Sequence, residues 1–324
     1  MYYDVFNGDA DGIISLLQLR LANPVESELV TGVKRDIQLL EKVSANAGDV
    51  VTVLDISMEK NQAGLNACLD AGATVFYADH HRAGNIPKHE NLTAKIDLDP
   101  NVCTALIVDE HLHGQYHLWA ITAAYGDNLI AKADSLATEA GLTNEQRELL
   151  KDLGTLINYN GYGAKVDDLH FHPADLFKAL LPYKSPFDAI NDKNSPFYTL
   201  QAAYNEDMAK AQAVKPQHES KELSLIELPN EAWARRISGV YGNLLANLNP
   251  NKAHGILTEN ADGTYTLSLR APLNNKQGAG DICSQFATGG GRAAAAGINA
   301  LPKEYVAKFV EVVEGYYTLE AITP

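Results

Sequence analysis

The chain is short of cysteine, of basic charge and of long apolar runs, and each shortage excludes something. Cys68, Cys103 and Cys283 are its three cysteines in 324 residues. They are odd in number, widely spaced and form no CxxC pair, so they imply no disulfide framework. Lys and Arg number 26 against 41 Asp and Glu, for a net charge of -15. A protein that holds long duplex nucleic acid carries a basic footprint, and this balance argues against one. No apolar stretch reaches the ~18 residues of a membrane span. The chain does not open on a basic region followed by an apolar core, so no secretory signal is read and the cytoplasm is the expected location.

Hydrophobic residues make up 46% of the chain, enough to bury a sizeable core in each of the two domains that its length suggests. Residues 1 to about 130 alternate strand-like and helix-like segments, the pattern of βαβ units around a mainly parallel sheet. Strands are expected at Tyr2–Phe6, Glu28–Val33, Val50–Leu54 and Thr74–Ala78, and helices at Asp11–Leu21, Asp36–Val43, Asn61–Asp70, Thr104–His111 and Leu118–Tyr125. Residues 128 to 190 read as helical throughout, with a helix start at Thr143-Asn144-Glu145-Gln146. Asn194-Ser195-Pro196 marks a break, and residues 197 to 213 form a connecting helix. The pattern then restarts with a strand at Glu222–Glu227 and a helix at Glu231–Leu248. A hairpin follows across Ala261-Asp262-Gly263, then a short helix at Ile282–Ala287. The expected division is a domain over 1–194, a linker over 195–220 and a second domain over 221–324.

Acidic residues stand where the apolar runs end. Tyr2–Phe6 leads into Asn7-Gly8-Asp9-Ala10-Asp11-Gly12, Val50–Leu54 ends at Asp55, and Thr74–Ala78 ends at Asp79-His80-His81. Ligands of open α/β sheets bind outside the carboxyl ends of the strands. If these strands are neighbours, several carboxylates and a histidine converge at one edge. Like charges at short range oppose ionisation, so a cation belongs there. Asp-rich ligation with one or two His suits Mn²⁺ or Mg²⁺. Each Asp taken alone is equally a turn or helix-start residue.

These motifs resemble those of the DHH phosphoesterases, which include RecJ-type exonucleases, nanoRNA and cyclic-dinucleotide phosphodiesterases, and family II pyrophosphatases. The Asp9-Ala10-Asp11-Gly12 core is similar to the first motif, Asp55 to the second, Asp79-His80-His81 to the name-giving third, and Asp127 to the fourth. Leu267-Ser268-Leu269-Arg270 and Gly289-Gly290-Gly291-Arg292 resemble the serine-arginine strand and glycine-rich loop of the associated substrate domain. The resemblance spans nearly the whole chain. It implies a DHH domain built on a mainly parallel α/β sheet, a smaller C-terminal α/β domain, and a helical linker.

The resemblance also implies two Mn²⁺ ions, with Mg²⁺ as the substitute. Asp55 would bridge them, Asp9 would serve the first, and Asp11, His80 and Asp127 the second. Asp79 would orient a histidine, and His81 would touch the scissile phosphate or support the site. Ser268, Arg270, Gly289, Gly290, Gly291 and Arg292 would grip the substrate. Two departures stand out. The histidine usually found four residues before the first Asp is here Val5, which leaves Asn7 as the nearest oxygen and the first ion's site weakened, reshaped or empty. The glycine loop usually ends in histidine and here ends in Arg292, which binds phosphate but is not a general acid at neutral pH.

The expected activity is metal-dependent hydrolysis of short linear dinucleotides such as pGpG, or nanoRNA, to nucleoside monophosphates, by in-line attack of a metal-activated water. The alternatives are a pyrophosphatase or exopolyphosphatase, a cyclic-dinucleotide phosphodiesterase, and a nucleotide-binding regulator with a decayed site. Trp119, Tyr125, Tyr159 and Tyr162 would either stack on a base or pack in the core. The oligomeric state is not encoded in these features.

Overall fold

The computed structural model describes residues 1–320, which divide into two compact units, Met1–Ala203 and the chain from Tyr204 onward. The first unit is built on a five-stranded, all-parallel sheet. Its strands are β1 (Tyr2–Phe6), β2 (Glu28–Val30), β3 (Val50–Leu54), β4 (Thr74–Asp79) and β5 (Leu92–Ile96), in the order β2-β1-β3-β4-β5. The chain leaves β1 toward β2 on one side, and β3 lies on the other. The strand order therefore reverses between β1 and β3, which is where an open α/β sheet forms its crevice. In register, Phe6 lies beside Leu54 and Leu54 beside Ala78. The residues that follow β1, β3 and β4 thus emerge at one edge.

Burial explains why these runs are strands. Val5, Val51, Val53, Val75 and Tyr77 are buried in one apolar cluster with Leu39, Leu65 and Leu69. Each such aliphatic side chain removed from water contributes ~1.5–3 kcal/mol. Helices α1 (Ala10–Ala22), α2 (Gln62–Asp70), α3 (Thr104–His111) and α4 (His117–Gly126) follow the sheet, then α5 (Ile130–Glu139), α6 (Asn144–Asn160), α7 (Pro173–Leu180) and α8 (Pro186–Asn191). The start expected at Thr143 is a reciprocal capping box, with Thr143 accepting from the Gln146 N–H and the Gln146 side chain accepting from the Thr143 N–H. Trp119, Tyr125, Tyr159 and Tyr162 are all buried, which places them in the packing.

One expected helix is replaced. Asp36–Val43 contains a single 3₁₀ turn, Leu40–Lys42. The buried Asn61 side chain accepts from the Leu40 N–H at 3.1 Å and donates to the Ile37 carbonyl at 2.7 Å, taking groups that a helix there would pair internally.

Helix α9 (Pro196–Gln212) runs through the boundary between the units. The second unit holds a six-stranded mixed sheet. Its strands are β6 (His218–Glu219), β7 (Leu223–Leu228), β8 (Ala253–Glu259), β9 (Tyr265–Arg270), β10 (Gly289–Gly291) and β11 (Ala295–Leu301), in the order β10-β11-β9-β8-β7-β6. Its helices are α10 (Ala232–Leu248), α11 (Ala279–Cys283) and α12 (Val306–Glu320). The β8–β9 hairpin falls where the sequence places it. The short helix expected at Ile282–Ala287 begins earlier, at Ala279. The triglycine is not a loop but an edge strand, paired antiparallel to β11. Among the described residues no helix is long and apolar enough to cross a membrane.

Candidate metal and phosphate site

The Asn7–Gly12 loop turns sharply after β1 and starts α1. Asp9 is the N-cap of α1, its Oδ1 accepting from the Gly12 N–H at 3.1 Å. The turn has no room for side chains at two positions: a Cβ on Gly8 would lie 1.9 Å from the Gly32 carbonyl oxygen, and one on Gly12 would lie 2.3 Å from that of Asn7. The Asn7 amide is engaged at both ends, donating to the Lys34 carbonyl at 3.0 Å and accepting from the Asp9 N–H at 3.2 Å. Asn7 therefore braces the loop, where the sequence offered it as a metal-binding oxygen. Val5 is wholly buried in the apolar cluster beneath the sheet.

Asp55 follows β3 with φ at 58°, a left-handed conformation that Asp adopts more readily than most residues. Strained backbone of this kind clusters at functional sites. Its Oδ1 accepts from the Thr104 hydroxyl at 3.1 Å. Asp11, on the first turn of α1, accepts the N–H groups of Thr104 and Ala105 at 2.8 and 2.7 Å, capping α3 from another element. Asp55 and Asp11 are both almost fully buried.

His80 brings an imidazole nitrogen to the two carboxylates. Its Nδ1 lies 2.7 Å from the Val102 carbonyl oxygen, which can only accept, so Nδ1 carries the proton. In neutral imidazole Nε2 then presents a lone pair, and that lone pair faces Asp55 Oδ1 at 3.3 Å and Asp11 Oδ2 at 3.6 Å. With the imidazole neutral, these three atoms are placed to share a divalent ion. Asp55, His80 and His81 each offer a ligand atom, all within 4.8 Å of one another. The buried Asp79 accepts from His81 Nδ1 at 2.7 Å through one oxygen, while its other oxygen, Oδ2, is buried with no partner. Carboxylate and imidazole donors in this arrangement fit a hard divalent ion.

The electrostatics agree. Burial, and then the charges of Asp127 and Asp9, push the Asp11 carboxyl up to about 6. Asp55 is raised well above the ordinary carboxylate range by burial, and then by Asp11, Asp9, Asp79 and Asp127. Asp127 ends α4 and lies close enough for its charge to act on Asp9, Asp11 and Asp55. Two other aspartates near it in sequence are engaged elsewhere, Asp109 by His117 at 2.6 Å and Asp134 by the Tyr125 hydroxyl at 2.7 Å. Asp9 behaves differently. Burial raises its carboxyl, but the Lys34 ammonium beside it outweighs burial and lowers it. Lys34 was not singled out from the sequence, nor were Val102 and Thr104, since nothing local marks them.

In the second unit Ser268 is buried on β9, opposite Gly297 of β11. Arg270 ends the same strand. Its Nε donates to Asn243 Oδ1 at 2.5 Å and its Nη2 to the Gly239 carbonyl at 3.3 Å, so α10 orients the guanidinium. On β10, a Cβ at Gly289 would meet the Cys283 carbonyl oxygen at 1.7 Å, and Gly291 has φ at 143°, which excludes side chains at both positions. Gly290 has open space around it. Arg292 follows, its N–H bonded to the Ala295 carbonyl at 2.9 Å.

An all-parallel sheet that reverses at β1/β3, followed by a second unit with a mixed sheet, is a fold that this chain shares with the exonuclease RecJ. A crystal structure of the exonuclease RecJ bound to manganese is similar over 100% of this chain and 90% of that one, with a TM-score of 0.60 and 16% identity. The pGpG-specific phosphodiesterase PggH from Vibrio cholerae matches over 98% of this chain and 99% of that one, with a TM-score of 0.56 and 16% identity. An exopolyphosphatase-related protein from Bacteroides fragilis matches over 98% and 92%, with a TM-score of 0.52 and 15% identity. No family model matches the chain, and no curated protein matches it.

Proposed function

We propose that this protein is a metal-dependent phosphodiesterase that hydrolyses short linear dinucleotides, pGpG foremost, to nucleoside monophosphates. The observation that carries the reading is the His80 lone pair directed at Asp55 and Asp11, an arrangement completed by a divalent cation. Mn²⁺ is the ion of choice and Mg²⁺ its substitute, and Asp55, Asp11 and His80, with Asp127 beside them, would hold it. When bound, such an ion lowers the pKa of water and stabilises charge on a phosphoryl oxygen.

The chain's own residues do the rest. Val102 fixes the His80 tautomer. Asp79 holds the His81 Nδ1 proton, and His81, whose side chain is 32% exposed, is the group that would place a proton on the leaving 3′ oxygen as the P–O bond breaks. A positioned acid contributes ~10²–10⁴-fold to such a step. Arg270, Arg292 and Ser268 would hold the substrate phosphate, with Arg270 pre-oriented by Asn243. The net charge of -15 favours a short substrate over long duplex DNA. The likeness to a pGpG-specific phosphodiesterase over nearly the full length of both chains supports the same ranking.

Turnover of a panel with Mn²⁺ and with chelator tests this. The panel contains pGpG, other linear dinucleotides, a longer oligonucleotide, cyclic dinucleotides and pyrophosphate. Release of GMP from pGpG, abolished by chelator, is the expected result. Release of inorganic phosphate from pyrophosphate without cleavage of any dinucleotide would replace this reading with a pyrophosphatase.

A further inference from the structure

This inference rests on the metal-dependent reading above and concerns how many ions the centre takes. Asp9 and Asp55 both stand at the β1/β3 crevice, yet their surroundings differ. Asp55 faces histidine nitrogens, whereas Asp9 faces a lysine. The Lys34 ammonium forms an ion pair with Asp9 Oδ2, while Oδ1 accepts from the Gly12 N–H. Both oxygens of Asp9 are thereby engaged.

Lys34 is held in this position by both its backbone and its side chain. Its backbone N–H donates to the Gly161 carbonyl at 2.8 Å, and its carbonyl accepts from the Asn7 amide at 3.0 Å. Its ammonium also meets Asn158 Oδ1 at 3.4 Å and lies 5.4 Å from the centre of the Tyr162 ring. A carboxylate, an amide oxygen and an aromatic face are the partners a cation seeks. The loop that carries Asp9 packs hard on the segment just before Lys34, leaving no room for a Cβ at Gly8 against the Gly32 carbonyl. On the far side Val5, sealed in the apolar cluster, offers no ligand.

We propose that the Lys34 ammonium takes the place of a first metal ion, so that the centre holds a single divalent ion on the Asp55–His80–His81 side. A second divalent ion on Asp9 would have to displace an ammonium held by three partners and a braced backbone. One fixed positive charge then does permanently, on the Asp9 side, what an exchangeable ion would do.

Metal counting on the full chain tests this without recourse to activity. The protein is stripped with chelator, titrated with Mn²⁺, and measured by calorimetry, by elemental analysis and by electron paramagnetic resonance. The expected result is one Mn²⁺ per chain, with the signal of an isolated ion. Asp9→Asn leaves the affinity for that ion within about threefold, whereas Asp55→Asn lowers it by at least the ~10–100-fold typical of lost metal-site support. Lys34→Met, which removes the ammonium but keeps the stem, admits a second ion. Two exchange-coupled Mn²⁺ ions in the unaltered protein would overturn the proposal while leaving metal dependence intact, and that count stands alone if Lys34→Met fails to fold. An unchanged count in a folded Lys34→Met protein would also overturn it. Failure to bind Mn²⁺ at all would instead remove the metal-dependent reading on which it rests.

Discussion

Asp79 and His81, two residues apart on the turn after β4, share a 2.7 Å hydrogen bond in which the carboxylate fixes the Nδ1 proton of the imidazole. The bond sets the ring's orientation, and the other carboxylate oxygen lies buried without a partner. Asp79→Asn keeps an acceptor for Nδ1 but loses the charge. The expected outcome is a ~10–100-fold fall in kcat for pGpG, the usual cost of losing a carboxylate behind a site histidine. Circular dichroism and the melting temperature should show the fold retained. Full turnover by a folded Asp79→Asn protein would remove Asp79 and His81 from the chemistry.

Asp55 combines function with strain and repulsion. In chelator, Asp55→Asn removes one of several crowded buried carboxylates and retains a residue that tolerates positive φ. The melting temperature of the metal-free protein should therefore rise, while Mn²⁺-dependent turnover is lost. A lower melting temperature in chelator would mean that the carboxylate stabilises the fold on its own.

Mn²⁺ should stabilise the unaltered protein in a concentration-dependent way. An ion at 100 times its dissociation constant adds ~2.7 kcal/mol. In a unit of this size that corresponds to a rise of ~5–10 °C, since each kcal/mol moves the midpoint by ~2–4 °C. Differential scanning fluorimetry with Mn²⁺ and then excess chelator measures it, and His80→Ala should abolish the response.

Arg292 is expected to act in binding. Arg292→Ala should raise KM for pGpG by ~10–100-fold, the loss of one charge-assisted hydrogen bond at ~1.5–3 kcal/mol. A fall in kcat with KM unchanged would place Arg292 in the chemical step.

His254, on β8, gives the second unit its own pH dependence. Burial holds its imidazole below the ordinary value of 6.5, the neighbouring Lys252 adding to the effect and the Asn249 carbonyl opposing it. Its Nδ1 is buried with no partner. The unfolded chain therefore takes up this proton more readily than the folded one. The stability that this group contributes is present above about 6.5 and is lost as the pH falls from there through the lower value of the folded state. Urea midpoints at pH 7.5 and 5.5 should differ by less in His254→Gln than in the unaltered protein.

Strands β1, β3 and β4 are legible in the sequence because they are apolar runs, and burial on both faces leaves such runs little choice of structure. The aspartates proposed to hold an ion are legible for the same reason. Other elements left no such mark. The edge strand β5 is only partly buried and carries Lys95, so neither a continuous run nor a clean alternation shows. β10 is three glycines, whose strand propensity is poor and whose pairing with β11 is decided across the sheet. Asp36–Val43 has the spacing of a helix, but Asn61, some twenty residues away, claims its backbone. Lys34 lies in an irregular segment, and only the fold brings it to Asp9. The Val102 carbonyl that sets the His80 tautomer is a backbone group and has no sequence signature at all.

The capping of α3 by Asp11 has a consequence for how the acidic edge is balanced. The N-terminal end of a helix carries a partial positive charge. By turning that end toward Asp11, the chain supplies its own partial counter-charge to the acidic edge, and Lys34 supplies another. Two of the buried carboxylates at this edge, Asp11 and Asp9, are thus answered from within the chain itself, and Asp55 is the one left with other carboxylates as its main charged neighbours.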